Sequence, residues 1–317
     1  MQVSFIVPLF NCLPLTQAML ASLQATLPPG LAHEIILVDD GSTDGTRAWL
    51  ASLPPGQFRI LLNEENLGFA GANNRAAALA AGELLVLLNN DLVLLPGWLE
   101  PMLAAHRQLG PRAGAIGNIQ RDARSGAVDH VGLVVNLTGK PEHDRTPPCF
   151  LERSFAPVRP MPAVTGACLL IARQLWTELG GFDPGYRNGG EDVDLCFRAR
   201  AAGRVNAVAL RSVVRHHISA SPGRKLRDEE NSYRLARRWR AELAAAADAG
   251  CRTWSRDYLA AQLYAPCAAE YRLALAALAF LAHLRGPPAE AVAAVAAGLE
   301  GEFTRWAKLV PPASIPA

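Results

Sequence analysis

The sequence predicts a three-layer α/β fold in which helices cover both faces of a parallel sheet. Over the first hundred residues, short apolar runs alternate with stretches of helical periodicity, and the links between them are short. The apolar runs are nearly continuous, which is typical of strands buried on both faces. Strands that alternate with helices across short connections favour a parallel sheet.

Local signals mark where the first elements begin and end. Proline closes the first apolar run at Pro8, the Pro28-Pro29-Gly30 cluster stops the first helix, and Ser42 or Thr43 can cap the second. The predicted strands in this part of the chain span residues 2–8, 34–39, 58–62 and 83–88. The predicted helices span residues 15–25, a segment that begins at 42 or 43, residues 68–81, and a segment that begins at 96.

The pattern changes after residue 112, and we therefore predict three segments, 1–112, 113–221 and 222–317. The middle segment contains a stretch rich in proline and charge at 141–162, which predicts a loop. Its predicted strands span residues 113–119, 128–137, 164–171, 205–210 and 212–216, and its predicted helices span 174–179 and 191–202. The last segment has a helical pattern almost throughout.

The composition excludes several classes of protein. Half of the 317 residues are hydrophobic and 19% are charged, as in globular proteins, and a net charge of +2 without a long basic run argues against a nucleic-acid partner. The six cysteines lack metal-finger spacing and no signal-peptide pattern is seen, so we expect a cytoplasmic protein. The longest apolar segment, at 273–284, is shorter than the ~20 residues of a spanning helix. Arginines in the C-terminal third fit a solvated helix face or a peripheral contact with anionic lipid or a phosphorylated acceptor.

Three polar clusters lie where predicted strands end or a helix begins: Asp39-Asp40-Gly41-Ser42, Asn89-Asn90-Asp91 and Glu191-Asp192. Ligands bind at the carboxyl ends of the strands in an open α/β sheet, so we expect the clusters to converge on one site. A carboxylate of the first cluster can accept a hydrogen bond from a pyrimidine base. The end of the first strand would lie beside it, with Pro8, Phe10 and Asn11. Ordinary turn chemistry is the alternative.

The second cluster predicts a divalent-metal site. Mg²⁺ and Mn²⁺ favour oxygen ligands and often use one or two protein carboxylates, so Asp91 is the predicted ligand, with polar contacts from Asn89 and Asn90. One of His216 and His217, at the end of a predicted strand, can complete the site, because imidazole accepts Mn²⁺ better than Mg²⁺. The alternatives are an Asn-Asp turn and a buried histidine that only donates a hydrogen bond.

A glycine-containing stretch between the first two clusters predicts a further contact with the nucleotide. Gly68 lies at a helix start, where backbone N–H groups can face an anion, and Asn66 precedes it. Asn73 and Arg75 follow within the same helix. The spacing matches neither the dinucleotide fingerprint nor a phosphate loop, and helix packing is the alternative.

The third cluster predicts a general base. Glu191 and Asp192 fall in the first turn of a predicted helix, where the partial positive charge of the backbone favours ionised carboxylates. A carboxylate within reach of an acceptor hydroxyl can remove its proton during attack on an anomeric carbon. Stabilisation of the helix start is the alternative.

Taken together, the motifs resemble family 2 glycosyltransferases of the GT-A fold, and most of all the rhamnosyltransferase-like branch that builds bacterial surface polysaccharides. The resemblance covers residues 2 to about 221. It is carried by the stretches Val3–Asn11, Val38–Thr46, Asn66–Ala70, Leu87–Asp91, Pro96–Leu99, Thr165–Ile171, Gly180–Asp183 and Gly190–Cys196. The sequence departs from the family's Asp-x-Asp pattern at Asn89, and relatives often have an aromatic stretch before Glu191.

The resemblance implies a Rossmann-like central sheet with a C-terminal helical extension, and inverting transfer from a dTDP- or UDP-linked sugar to a glycan or lipid-linked acceptor. From it we expect residues 1–112 to bind the nucleotide sugar and residues 113–221 to bind the acceptor and carry the base. No motif matches after about residue 222, and for residues 222–317 we expect a segment that covers the site or contacts the inner face of the membrane. By analogy Asp40 contacts the base, Asp91 binds the metal and Asp192 is the catalytic base. Glu191 lies near the acceptor.

Two other functions compete with this interpretation. A sugar-1-phosphate nucleotidyltransferase also has an α/β fold, but it needs a glycine-rich N-terminal loop that ends in a basic residue, and the segment 8–11 offers none. A non-catalytic protein that binds a glycan or nucleotide is the second alternative. The presence of all three acidic clusters argues against it.

Overall fold

The computed structural model describes residues 2–217, 228–264, 267 and 270–310. The chain divides into two compact units: an N-terminal unit of Met1–Leu133 and His143–Asp228, and a C-terminal unit of Val134–Glu142 and Glu229–Ala317. The predicted boundary at residue 221 lies outside the described residues. The predicted boundary at residue 112 falls inside the N-terminal unit and stays a prediction.

The N-terminal unit is built on a ten-stranded sheet. The strands of the chain are β1 Val3–Leu9, β2 His33–Asp39, β3 Arg59–Leu62, β4 Leu84–Leu88, β5 Leu92–Leu94, β6 Ala113–Asp122, β7 Val128–His130, β8 Leu133–Val135, β9 Pro141–His143, β10 Val158–Pro160, β11 Cys168–Ala172 and β12 Val205–His216. The main order is β10-β12-β6-β11-β4-β1-β2-β3, with β5 beside β12 and β7 beside β6. The helices of this unit are α1 Leu13–Thr26, α2 Thr46–Ala51, α3 Gly68–Ala77, α4 Leu99–Leu109, α5 Phe150–Phe155, α6 Arg173–Leu179 and α7 Glu191–Ala201.

The sheet is mixed, with parallel strands where the sequence predicted them and antiparallel strands later in the chain. Strands β1 to β4 are mutually parallel where they pair, as expected. Strand β11 then runs antiparallel to β4, with Cys168 opposite Leu88, and β12 runs antiparallel to both β5 and β10. The sequence predicted no direction for these later strands, because a continuous apolar run shows that a strand is buried on both faces and says nothing about its direction.

The apolar runs form the core and thereby place the polar clusters. Phe5, Ile36 and Val86 lie in the three central parallel strands and are fully buried. Because these strands are parallel, their carboxyl ends meet at one edge of the sheet, where Leu9 is paired with Asp39. Burial of the strands therefore brings the residues that follow β1, β2 and β4 to the same edge.

The segment 141–162 contains regular structure, although its composition predicted a loop. Strand β9, helix α5 and strand β10 occupy it. The two strands predicted at 205–210 and 212–216 form the single strand β12, which has a register shift between Ala209 and Val213 against β6. Short elements of this kind depend on pairing with distant strands, which local sequence patterns do not encode.

The C-terminal unit is helical, as predicted. Its helices are α8 Asp228–Arg238, α9 Arg240–Ala245, α10 Asp248–Tyr264, α11 Tyr271–Leu281 and α12 Ala289–Leu309. Two glycines let α10 and α12 pack closely against the segment 136–138. A Cβ atom on Gly250 would lie 2.6 Å from the Asn136 carbonyl oxygen, and one on Gly298 would lie 2.5 Å from that of Leu137. In the described part of the chain, none of the helices is both long enough and apolar enough to span a membrane.

Candidate active site

Asp40 follows β2 and caps the turn that leads into α3. Its carboxylate accepts hydrogen bonds from Asn63 Nδ2 at 2.6 Å, the Leu67 N–H at 2.9 Å and the Gly68 N–H at 2.9 Å. The residue is only 3% exposed. The side chain thus accepts hydrogen bonds from backbone N–H groups at a helix start, and these groups have no acceptor within the helix itself.

These bonds change the prediction for the start of α3. The N–H groups expected to face an anion already have acceptors within the protein. Those of Leu67 and Gly68 donate to Asp40, and that of Phe69 donates to Asn188 Oδ1 at 3.3 Å. Asn66 supports the same turn by donating to the Asp40 carbonyl oxygen at 3.1 Å and accepting from the Gly68 N–H. The geometry therefore does not support phosphate binding by these backbone groups.

The other two residues predicted in this helix make internal contacts. Asn73 is fully buried and donates to the Phe69 carbonyl oxygen at 2.8 Å, while its Oδ1 has no hydrogen-bond partner among the described residues. Arg75 donates to the Leu62 carbonyl oxygen at 2.8 Å and to the Asn63 side chain. Arg75 thus ties α3 to the end of β3.

Asp39 is an internal carboxylate. It is fully buried and forms an ion pair with Arg47, whose Nε lies 2.6 Å from Asp39 Oδ2. The Ser42 N–H also faces it, at 3.3 Å. The pair holds the turn after β2 against the start of α2.

The end of β1 is locked to this turn. Asn11 has a left-handed backbone with φ of 56°, its N–H donates to Ser42 Oγ at 2.8 Å, and its Oδ1 accepts the Thr43 N–H at 2.8 Å. Phe10, one residue earlier, is 45% exposed, and Pro8 lies within β1 opposite Val38. The predicted nucleotide residues of the first two strands therefore do lie together.

The Asn89-Asn90-Asp91 cluster joins this region to β11. Asn90 Nδ2 donates to Thr16 Oγ1 at 2.9 Å and, more weakly, to the Asn11 carbonyl oxygen at 3.4 Å. On the other side, the Asn89 N–H donates to the Ala167 carbonyl oxygen at 2.8 Å. The second cluster is thus hydrogen bonded to both the first-strand loop and the start of β11.

Asp91 and His216 bring two unpaired atoms together. Asp91 Oδ1 and His216 Nε2 are 3.1 Å apart on side chains that are 12% and 6% exposed. The angles do not suit a hydrogen bond, so both atoms lack such a partner among the described residues. His217 contributes its backbone, because its N–H donates to the Asp91 carbonyl oxygen at 3.0 Å. Of the two predicted histidines, His216 is the one whose side chain faces Asp91.

Asp192 is held at the start of α7. Its Oδ2 accepts the Gly166 N–H and its Oδ1 accepts the Val193 N–H, both at 2.9 Å. Glu191 is buried and turns back to accept the Gly189 N–H at 2.7 Å. Asp192 is partly exposed and therefore the better placed of the two to meet a substrate.

Thr165-Gly166-Ala167, at the start of β11, is the connection that sequence reasoning missed. Gly166 donates to Asp192 and the next residue, Ala167, accepts from Asn89. The cluster predicted to bind a metal and the cluster predicted to supply the base are therefore hydrogen bonded to adjacent residues of one segment. The stretch contributed to the family resemblance, but no role was predicted for it, because hydrogen bonds of backbone atoms leave no trace in residue type.

A buried histidine supports the same segment. His130 is fully buried, and its Nε2 faces the Thr165 N–H at 3.4 Å. Burial, together with the charges of His143 and His216, lowers the pKa of His130 well below its usual value, so the ring is neutral. The ring of His143 lies 4.8 Å away in an edge-on arrangement.

Two cysteines near the site are not nucleophiles. Burial raises the pKa of Cys168 and of Cys196 to about 12. A thiol with such a pKa is not ionised near neutral pH and is inert. Among the described residues, no group of three or more His, Cys, Asp or Glu side chains is arranged to hold a metal ion.

The fold is that of the GT-A glycosyltransferases. The structure is similar to that of GalNAc-T7 with UDP, GalNAc and Mn²⁺, with a TM-score of 0.61 and 19% identity over 74% of this chain and 47% of that one. It is also similar to the mannosyltransferase PcManGT from Pyrobaculum calidifontis in complex with GDP-Man and Mn²⁺, with a TM-score of 0.54 and 19% identity over 95% and 86% of the two chains.

The sequence identifies the family within that class. Residues 4–176, more than half of the chain, match Glycosyl transferase family 2, and the chain belongs to this family. It is 31% identical over 212 residues to N-acetylglucosaminyl-diphospho-decaprenol L-rhamnosyltransferase of Mycobacterium tuberculosis (strain CDC 1551 / Oshkosh), a match over 60% of this chain and 68% of the relative. It is 34% identical over 139 residues to O-antigen biosynthesis protein RfbC of Myxococcus xanthus, where 42% of this chain matches 11% of the relative. The chain thus spans only about a tenth of that relative's length.

Proposed function

We propose that this enzyme moves a sugar, with inversion, from a dTDP- or UDP-linked donor to a hydroxyl of a glycan or lipid-linked acceptor in the synthesis of a cell-surface polysaccharide. The observation that carries the proposal is the segment 165–167, which is bonded to the metal cluster on one side and to the base on the other. The names of the relatives, one a rhamnosyltransferase and one an O-antigen biosynthesis protein, support the sugar and pathway class.

The pair of Asp91 and His216 fits a divalent cation. Two ligands at right angles, each about 2.1 Å from a Mg²⁺ ion, are about 3.0 Å apart. The 3.1 Å between Asp91 Oδ1 and His216 Nε2 agrees with this, and neither atom has a competing hydrogen bond in the described chain. Mg²⁺ and Mn²⁺ sites often use only one or two protein ligands, with phosphate and water completing the shell. A bound cation would offset the negative charge of the leaving diphosphate.

Asp192 is the proposed general base. Its two hydrogen bonds from backbone N–H groups fix the orientation of the carboxylate. The carboxylate takes the proton of the acceptor hydroxyl while the hydroxyl oxygen forms a bond to the anomeric carbon. The bond from that carbon to the diphosphate oxygen breaks with its electron pair on the diphosphate. Attack from the face opposite the diphosphate inverts the anomeric configuration.

The nucleotide is proposed to lie along the ends of β1 and β2. Pro8, Phe10 and Asn11 form one side and Asp40 the other, while the buried Asp39 holds the turn after β2 through its ion pair with Arg47. Three of the four lone-pair positions of the Asp40 carboxylate are taken internally, which leaves one on Oδ2 for a base N–H. We also propose that residues 1–112 bind the donor and that residues 113–221 bind the acceptor. The location that we propose for the enzyme is the cytoplasm.

The base assignment is tested with the variant Asp192→Asn. An amide cannot take the proton, so we expect transfer to fall at least a thousandfold, while the donor still raises the melting temperature in the presence of Mn²⁺. Transfer at the wild-type rate by Asp192→Asn would disprove the assignment. Release of pyrophosphate from a nucleoside triphosphate and a sugar phosphate would instead identify a nucleotidyltransferase. If neither the wild type nor the variant hydrolysed or transferred any donor, a non-catalytic binding protein would be favoured.

The metal assignment is tested by titration. Asp91→Asn should raise the Mn²⁺ concentration needed for half-maximal donor binding by at least tenfold, and His216→Gln should have a smaller effect in the same direction. His217→Gln is the matched control, because only its backbone contacts Asp91. Identical titrations for the wild type and Asp91→Asn would contradict the proposed site.

A further inference from the structure

Helix α5 presents an apolar face to solvent. Phe150, Leu151 and Phe155 are 80%, 64% and 81% exposed. At 100° per residue, the three side chains fall within an arc of about 140° on one side of the helix. Large apolar side chains clustered in this way are uncommon on the surface of a monomeric protein and mark an interaction site.

The helix is held firmly in this orientation. The guanidinium of Arg211 donates to the carbonyl oxygens of Arg153 and Ser154, both at 2.6 Å, and so binds the last turn to β12. At the other end, Glu152 accepts the Cys149 N–H at 3.0 Å and a hydrogen bond from Arg159 at 2.8 Å. The exposed face is therefore presented by an anchored helix, and its exposure does not result from a missing local partner.

The surroundings of the apolar face are basic. Arg153 and Arg211 are exposed, and neither forms an ion pair with a carboxylate among the described residues. The acidic residue of the helix, Glu152, is neutralised by its 2.8 Å ion pair with Arg159. The helix thus combines three apolar side chains with two uncompensated positive charges.

We propose that α5 docks the enzyme on the surface of an anionic bilayer, with its apolar face in the headgroup region. Apolar side chains flanked by arginine fit this interface, because the arginines reach the phosphates while the rings and the leucine leave water. The proposal rests on the proposed function, in which a lipid-linked acceptor presents its hydroxyl at the bilayer. Strand β12 carries both Arg211, which contacts α5, and His216, which faces Asp91. These two residues are about 17 Å apart along the strand, at 3.3 Å per residue.

The test is co-sedimentation of the full chain with vesicles of phosphatidylcholine alone or with 30% phosphatidylglycerol. We expect binding to the anionic vesicles, and a loss of at least tenfold in partition coefficient for the triple variant Phe150→Ser, Leu151→Gln, Phe155→Ser. The variant Arg153→Gln should lose about fivefold, because a basic residue near an anionic surface contributes about 1 kcal/mol. The matched control is Leu275→Gln with Leu278→Gln, since these leucines of α11 are 57% and 51% exposed. The control should bind like the wild type.

Three results would overturn docking through α5. The first is a wild type that does not sediment with anionic vesicles. The second is a loss of binding by the α11 control while the α5 variant keeps it. The third is light scattering which shows that the α5 substitutions dissociate a dimer, because a second copy would then cover the face. Donor binding, measured by thermal shift with Mn²⁺, is independent of vesicles. Normal donor binding without vesicle binding would refute only the docking proposal, and vesicle binding without donor binding would refute only the proposed function.

Discussion

Replacement of Asp40 by alanine tests whether this carboxylate is part of the framework. The substitution leaves two donors without an acceptor in a place that is 3% exposed, Asn63 Nδ2 and the Leu67 N–H, while the Gly68 N–H keeps Asn66 Oδ1 as its acceptor. An unpaired buried donor costs about 1–3 kcal/mol, so the lower bound for two is about 2 kcal/mol. In a domain of this size such a loss lowers the melting temperature by roughly 4–8 °C.

The assay is thermal unfolding of the free enzyme, with Asp44→Ala as the matched control. Asp44 also accepts backbone hydrogen bonds, from Leu13 at 3.1 Å and Thr46 at 2.9 Å, but it is exposed, so water replaces the carboxylate. We expect the control to lose about 1 kcal/mol. If Asp40→Ala melted within about 2 °C of the wild type and lost only donor affinity, the structural argument would be refuted and direct contact with the base would account for Asp40.

Two further predictions concern the segment that joins the metal cluster to the base. In Gly166→Ala the new Cβ would lie 3.0 Å from Phe69 Cε1 and 3.5 Å from Asp192 Cβ. Steady-state kinetics should show kcat reduced at least tenfold, with donor KM and melting temperature nearly unchanged. An unaltered kcat would argue against a role for this contact. Because the folded-state pKa of His130 lies below its unfolded value, the unfolded chain binds a proton that the folded chain does not, so stability falls as the pH drops below about 6.5. Denaturant titrations between pH 7 and 5 give the free energy of unfolding at each pH. Its slope against pH should be shallower by up to about 1.4 kcal/mol per pH unit in His130→Gln than in the wild type, and equal slopes would contradict a neutral buried His130.

The sequence predicted the family, the GT-A fold and the helical C-terminal region, and the comparisons and the structure confirm all three. The family and the fold were predicted from the resemblance of the motifs to known glycosyltransferases. The helical region was predicted from local signals such as helical periodicity and glycine or proline breaks. The antiparallel direction of β11 was not predicted, and the predicted loop at 141–162 contains α5. Both concern short elements whose form is decided by contacts with distant strands.

For the candidate site, the sequence indicated which side chains to consider but not what each contacts. Asp39 and Asp40 looked equivalent as a pair, yet one is in an ion pair with Arg47 and the other caps α3. His216 and His217 were also indistinguishable. Because successive side chains of a strand point to opposite faces, only one of them can meet Asp91.

The sequence by itself determined where carboxylates and amides stand at the ends of buried strands, because hydrophobic periodicity fixes strand positions and therefore their ends. The tertiary structure alone decided which backbone atoms connect the clusters. That decision depends on strand order and on backbone hydrogen bonds, since β11 inserts between β4 and β6 and places Gly166 and Ala167 between Asp192 and Asn89. Backbone N–H and C=O groups are the same in every residue but proline, so their pairing across long sequence separations cannot be read from residue identity.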